Sequence, residues 1–330
     1  MKSEKITNLS FFLALGIVWQ HSRLPWIPET TCHPFLLIAM QITNKRMEVI
    51  VPCFFFISGF LFYRSYTPRD YLRKLRTRIR SLLVPYLLWN AVFALLWYAV
   101  ILFWPEYVSD RFPFDGFWDV VSGILSCQYT VLWYVGVIFI YALLAPLIWQ
   151  MVCRKKVYAW LLPLLCVVCV VFRHPFCSPV LWLPLYSAGA YAGVHYKNFL
   201  FCEQPAWLTW GSLALYPFVF CWDYFFPTSL SMNAVQWIGP ALCMGLYDLV
   251  NRRFHIVSHK VYKYSFFLYA LHYLPVHVGQ RAVLLHGVNP WLPYVAYFAV
   301  PALTVLLVLA VSVWTDRYAH SLYSWFSGGR

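Results

Sequence analysis

The sequence predicts an all-α fold: a polytopic integral membrane bundle of about ten transmembrane helices with both termini cytoplasmic. Composition carries the first part of that prediction. Of the 330 residues, 62% are hydrophobic and 11% charged, where soluble domains hold about 25% charged residues. Run length carries the second. The apolar stretches are solid and roughly twenty residues long, which as helix spans a hydrocarbon core about 30 Å thick; a membrane β-barrel would alternate over ~10-residue segments. Charge placement carries the third, because basic residues cluster at the ends of the apolar stretches, where topology signals belong.

Element by element, the spans fall at about 7–23, 49–66, 81–104, 131–151, 157–173, 179–196, 206–224, 233–250, 265–284 and 292–314. An even number of crossings puts both ends on one side. Nineteen of the 25 Lys and Arg then lie on the side of the N-terminus, among them Lys2, Lys5 and the seven between Arg64 and Arg80. That side is predicted cytoplasmic, in a multi-pass protein of the cytoplasmic (inner) membrane. The first apolar segment is followed by Gln20-His-Ser-Arg-Leu-Pro rather than by a small-residue cleavage site, so it is expected to stay as a span. No internal repeat or low-complexity tract divides the chain, and 1–330 reads as one transmembrane domain.

The same charge placement excludes nucleic acid as a partner despite a formal net charge of +13, and makes membrane lipids the expected neighbours. The ten cysteines point to no metal: Cys166 and Cys169 lie in the apolar LLPLLCVVCVVF and read as small packing residues. Cys32, Cys127 and Cys177 fall in predicted extracytoplasmic stretches and could pair there. His255 and His259, an i,i+4 pair without acid or Cys neighbours, read as a solvated loop face.

Four places could carry chemistry. In FFLALGIVWQHSR, residues 11–23, an apolar helix ends on His21, and titratable groups inside bilayers are rare and mark function. A helix rising from the cytoplasmic side near Thr7 puts His21 roughly 20 Å along the core, in its outer half and open to an extracytoplasmic substrate. The alternative is an interfacial imidazole reaching for headgroups beside Trp19 and Arg23. Residues 54–90, FFFISGFLFYRSYTPRDYLRKLRTRIRSLLVPYLLWN, place Ser58-Gly59 inside an apolar helix, then seven basic residues with one acid, Asp70, then Pro85. Arg73, Arg76 and Arg80 stand at i, i+3 and i+7, one helical face suited to a nucleotide's phosphates, which guanidinium groups hold bidentately. Anionic headgroups are the other reading. Trp133 and Tyr134 open the fourth span near the outer interface, as an aromatic belt or as a stacking surface for a sugar. His272 and His277 stand five residues apart, about 500° around a helix, too far for a tight metal pair. His272 reads as lining a site or as a hydrogen bond to a neighbouring helix.

Taken in order, the first-span histidine, FFFISGF, the basic stretch leading into LLVPY, LWYVGVIFIYALLAPL and SFFLYALHY resemble the acyltransferase-3 family of polytopic membrane acyltransferases over most of the chain. The resemblance implies transfer of an acyl group, commonly acetyl, from cytoplasmic acetyl-CoA or another acyl-CoA as co-substrate to a hydroxyl of a cell-surface glycan or lipid-linked acceptor. It implies His21 as the catalytic histidine, and Arg73 and Arg76, or Arg78 and Arg80, as the basic motif that holds CoA phosphates. Tyr269 and His272 match its late aromatic-histidine motif, and with Ser58, Trp133 and Tyr134 they make up the expected substrate site. One departure stands out: where the family usually has Arg or Lys eleven residues before the histidine this chain has Ser10, and Thr7 replaces an acid three positions earlier.

Acyl transfer to an alcohol needs a base for the hydroxyl proton and a donor for the tetrahedral oxyanion. Imidazole, with an ordinary pKa of about 6.5, suits the first role. Direct attack by the acceptor and an acyl-imidazole on His21 are both open routes, and direct attack needs no covalent intermediate inside the bilayer. A transporter or flippase for a lipid-linked or glycan precursor is the rival reading. Against it stand the lack of repeats and of acidic relay residues within spans, since Glu48 and Asp248 sit at ends. A family member that binds without turnover is the reading favoured by Ser10.

Overall fold

A computed structural model describes residues 4–22, 24, 34–103, 114, 116–172, 178–284 and 291–329. Among the described residues all regular structure is helical. Helix α1 (Glu4–Gln20) matches the first predicted span, α2 (Pro34–Arg46) lies in the stretch between the first two predicted spans, and a short 3-10 turn leads into α3 (Ile50–Tyr63).

The cytoplasmic stretch expected at 67–80 is continuous with the next span: one helix runs from Pro68 to Phe103. It comprises α4 (Tyr71–Arg78), a π-turn over Ile79–Leu83 and α5 (Val84–Phe103). Proline explains the turn. The Val84 N–H donates to the Ile79 carbonyl five residues back, and this wider register carries the helix past Pro85, which has no N–H to give. The device recurs near the C-terminus, where α15 (Leu292–Tyr294) passes through a π-turn at Val295–Ala299 into α16 (Val300–Tyr318), with Pro301 just beyond.

Two other prolines break helices outright. After α6 (Phe117–Leu125), the predicted span 131–151 is a pair, α7 (Trp133–Leu143) and α8 (Ala145–Cys153), bent by 72°. The bend lies at Leu144, two residues before Pro146, which has no N–H to give to the Ala142 carbonyl and is well placed in the first turn of a new helix. Then α9 (Lys155–Val171), α10 (Pro179–His195), α11 (Ala206–Phe225) and α12 (Ser229–Phe254) coincide with the next four predicted spans. The span expected at 265–284 splits into α13 (Ser265–Leu271) and α14 (Tyr273–Leu284). Pro275 cannot donate to the Leu271 carbonyl, so the helix opens at His272. A last helix, α17 (His320–Ser327), follows α16.

Large apolar residues stay exposed along these helices, Leu95, Phe103, Trp160, Phe218 and Leu306 among them. In water such a surface drives aggregation, whereas lipid is its natural solvent. Two described helices, Pro68–Phe103 and Leu292–Tyr318, are long and apolar enough to cross a membrane, and a third if α7 and α8 act as one. The chain is a membrane protein.

In lipid the hydrophobic effect does not press helices together, so close van der Waals packing must. The clearest case is α3 against α10. A Cβ at Gly59 would lie 2.1 Å from the Tyr186 carbonyl oxygen, one at Gly189 2.0 Å from that of Phe56, and one at Gly193 2.5 Å from that of Phe60. Gly189 and Gly193 are one turn apart on one face, a small-xxx-small pair that lets the backbones touch. Rings seal the seam on either side: Phe55 stacks on Trp182 at 4.9 Å, and Tyr63 meets Tyr186 edge-on at 6.2 Å. Gly189→Leu is therefore expected to cost about 1–3 kcal/mol or to prevent folding, while Gly211→Ala, with nothing within 4 Å of the new Cβ, is tolerated. Thermal unfolding of the two variants in detergent checks this; equal melting temperatures would contradict the backbone contact.

Candidate functional site

The basic helix divides its cations between two sides. Arg73, Arg76 and Arg80 are exposed on the outside as their spacing predicts, with Arg73 paired to Asp70 at 2.8 Å. Arg78 turns inward instead. Its guanidinium lies 5.2 Å from the centre of the Phe62 ring and faces Tyr186 and Tyr134 electrostatically, so it enters the bundle from the C-terminal end of α3. Lys74 sits beside it before the apolar run begins, donating to the Phe62 carbonyl at 3.1 Å and to Ser65 Oγ at 2.9 Å.

From Arg78 a line of polar side chains leads through the interior. Ser58, next to the glycine contact of α3, hydrogen-bonds Tyr134 of α7 at 2.7 Å, and the Tyr134 hydroxyl donates to the Phe54 carbonyl at 2.9 Å. The Tyr134 ring stands 6.2 Å from Tyr269 of α13, whose hydroxyl donates to the Val131 carbonyl at 2.6 Å. Tyr269 in turn lies 6.3 Å from the ring of His272, and His272 lies 5.2 Å from the ring of His21. The structure thus brings together His21 from the turn after α1, His272 and Tyr269 from the end of α13, Tyr134 from α7, Ser58 from α3 and Arg78 from α4.

Local chain geometry places both histidines. His21 sits in the turn after α1, its backbone N–H bonded to the Ile17 carbonyl. Gln280 of α14 reaches across to the Ser22 carbonyl at 2.7 Å and holds that turn in place. His272 is fully buried at the opening between α13 and α14. Its Nδ1 lies 3.1 Å from the Leu268 carbonyl and 2.9 Å from that of Tyr269. Both partners are acceptors, so Nδ1 carries the proton and Nε2 is left as a bare acceptor. Nε2 is buried with no hydrogen-bond partner among the described residues, and so is the hydroxyl of Tyr186 beside Arg78. Buried polar atoms without partners are rare and call for a ligand or water.

Tyr134 packs against the middle of α3. Trp133 is half-buried in the aromatic layer, with its ring 6.1 Å from Phe55 and 5.9 Å from Trp182. Other polar contacts were missed. Lys5, expected as a topology signal, forms a partly buried ion pair with Asp248 at 2.7 Å, and Asn8 donates to Tyr247 at 3.2 Å, tying α1 to α12. An acid at the end of one span and a lysine at the end of another were the available signal.

Among the described residues no three His, Cys, Asp or Glu gather as a metal site. Cys127 is a free thiol against the Thr130 hydroxyl at 3.1 Å, while Cys32 and Cys177 lie outside the described residues.

Comparison with known proteins gives the family. Residues 5–313 match the model of the acyltransferase-3 family, described as an acyltransferase domain. A stretch of 106 residues is 31% identical to the succinoglycan biosynthesis protein ExoH of Rhizobium meliloti (strain 1021), covering 30% of this chain and 28% of that protein. No solved structure matches. With nearly its whole length inside the family model, the chain belongs to the acyltransferase-3 family of membrane acyltransferases.

Proposed function

We propose that residues 1–330 form one multi-pass unit of the cytoplasmic membrane, with ten spans and both termini cytoplasmic, that moves an acetyl or other acyl group from cytoplasmic acyl-CoA to a hydroxyl of a cell-surface glycan or lipid-linked acceptor. The observation that carries this reading is the interior line of polar residues from Arg78 to His21. It joins a cationic entrance on one side to a paired imidazole near the other, which a two-sided group transfer requires. The partial likeness to a succinoglycan biosynthesis protein supports a polysaccharide as acceptor.

In this reading Arg73, Arg76 and Arg80 gather the CoA phosphates at the cytoplasmic face, and Arg78 with Lys74 guides the acyl-bearing arm into the bundle. Ser58, Tyr134 and Tyr269 flank the arm, with Trp133 behind Tyr134. At the outer end His21 acts as general base. It takes the proton of the acceptor hydroxyl as the oxygen attacks the thioester carbon, the C–S bond breaks, the ester C–O bond forms, and the proton passes on to the departing thiolate. A hydroxyl or an imidazolium N–H at the site is suited to holding the transient oxyanion.

Ser10, in place of the family's basic residue, favours one alternative: a member that binds donor without transferring it. Two measurements separate them. Calorimetry with acetyl-CoA on the detergent-purified protein is expected to show binding that disappears when Arg73, Arg76, Arg78 and Arg80 are all changed to Gln; a wild type that binds no acetyl-CoA contradicts the reading. His21→Ala is expected to abolish acetyl transfer to envelope material while leaving membrane insertion intact. An active His21→Ala protein would exclude His21 as the base, and a wild type that binds acetyl-CoA yet never transfers would identify the non-catalytic alternative.

A further inference from the structure

Gln236 lies two turns into α12 with 1% of its surface exposed, and neither its Nε2 nor its Oε1 has a hydrogen-bond partner among the described residues. Gln204 and Gln280 are buried too, yet each donates to two acceptors. An unpaired amide destabilises the place it occupies, and a methionine would fill the same space with nothing left unsatisfied. Gln20, the last residue of α1, repeats the anomaly: its Oε1 is buried and has no partner.

The two amides face one region. Leu9, Leu13 and Ile17 of α1 share a buried cluster with Val49, Ile50 and, from α12, Val235, and Gln20 follows Ile17 by three residues on that face. Phe11, Ala14 and Val18 pack instead with Leu268 of α13 and Val276 of α14. His21 follows Val18 by three residues, and its ring accordingly stands beside His272. The end of α1 thus has the histidines on one flank and α12 on the other. The turn at 47–49 joins these helices: α1 packs on it, and a Cβ at Gly239 would lie 2.7 Å from its Val49 carbonyl oxygen. Height along the bundle agrees. Lys5 pairs with Asp248 and Asn8 with Tyr247 across the antiparallel α1 and α12. Gln236 stands 11 residues from Tyr247, and 11 residues from Asn8 lead to Trp19, a rise of about 17 Å on each helix. Gln236 is therefore level with the turn that carries Gln20 and His21.

We propose that Gln236 and Gln20 form the subsite for the acceptor sugar, their amides bonding neighbouring hydroxyls so that another hydroxyl of the same sugar is presented at His21. The assignment rests on the acyl-transfer reading for its purpose. A primary amide sets a donor and an acceptor side by side and carries no charge. That matches a hydroxyl, which is both donor and acceptor, whereas a phosphate calls for cations such as those of the basic helix. The donor arm in that reading arrives past Tyr269 and His272, on the other flank of α1, so the two substrates meet at the end of α1 from opposite sides.

Thermal unfolding in a detergent without a sugar headgroup tests the subsite without turnover, with the envelope polysaccharide of the source strain as probe. The polysaccharide is expected to raise the melting temperature of the wild type. Gln236→Met is expected to melt no lower than the wild type when free, because the amide it removes has no partner there, and to lose most of the shift given by the polysaccharide. Gln20→Met is expected to lose it as well. A Gln236→Met protein that melts lower when free and keeps the full shift would show an amide held only by ordered water, and would overturn the proposal; a polysaccharide that shifts none of the three proteins would do the same. Should Gln236→Met fail to fold, Gln20→Met decides, and a full shift in that variant goes against the subsite. In kinetics with ¹⁴C-labelled acetyl-CoA, both variants are expected to raise KM for the polysaccharide about 5- to 100-fold, the worth of one or two hydrogen bonds, with KM for acetyl-CoA unchanged. An unchanged KM for the polysaccharide refutes the assignment. A wild type that is stabilised by the polysaccharide but transfers no acetyl group ends the acyl-transfer reading and leaves the sugar subsite standing.

Discussion

The backbone contact between α3 and α10 is the constraint on which the rest depends. In lipid two helices gain little by burying apolar side chains against each other, so what holds them is how closely their surfaces fit. Gly59, Gly189 and Gly193 remove every side-chain atom from the line of contact. Ser58 is the neighbour of Gly59 in sequence, about 100° around the helix, so fixing the glycine against α10 turns the serine toward α7 and Tyr134. The same contact sets the depth of Phe62, over which Arg78 lies. A looser pairing of the two helices would separate the cationic entrance from the interior line it feeds.

Proline supplies the second constraint. A helix in a bilayer must satisfy its own backbone, and each missing N–H leaves a carbonyl that something else must answer. Pro85 and Pro301 are accommodated by π-turns, which keep a long helix continuous. Pro146 and Pro275 end helices, and the opening before Pro275 is where His272 turns its Nδ1 back onto two carbonyls. The break that looks like a defect is what places an imidazole with a fixed proton in the bundle beside His21. Structure and candidate chemistry here have one cause.

Much of this was legible in the chain. Solid apolar runs and bordering charges foretold an all-helical membrane protein, since solvation by lipid dictates composition over whole segments. His21, the arginine face and His272 stood out because polar groups in apolar runs are expensive. What was not legible followed from packing between distant segments. Nothing in the spacing of four arginines says that Arg78 alone turns inward, because that depends on where Phe62 lies. Tyr134 opens a span, and nothing in its position there tells that its hydroxyl meets Ser58 of α3. Two signals were present and unread: the Gly189–Gly193 spacing, and Pro275 three residues after His272, whose missing N–H favours a break in the ninth span.

The central claim is that the line from Arg78 through Tyr134 and Tyr269 to the two histidines is the path of the acyl group. The most direct measurement is an electron cryo-microscopy reconstruction of the protein with CoA bound. The account predicts density for the phosphates against Arg78 and its neighbouring arginines, with the pantetheine arm running between Ser58 and Tyr134 and its thiol ending toward His272 and His21. Density for the arm outside the bundle, or on the face of α3 turned away from Tyr134, would contradict it.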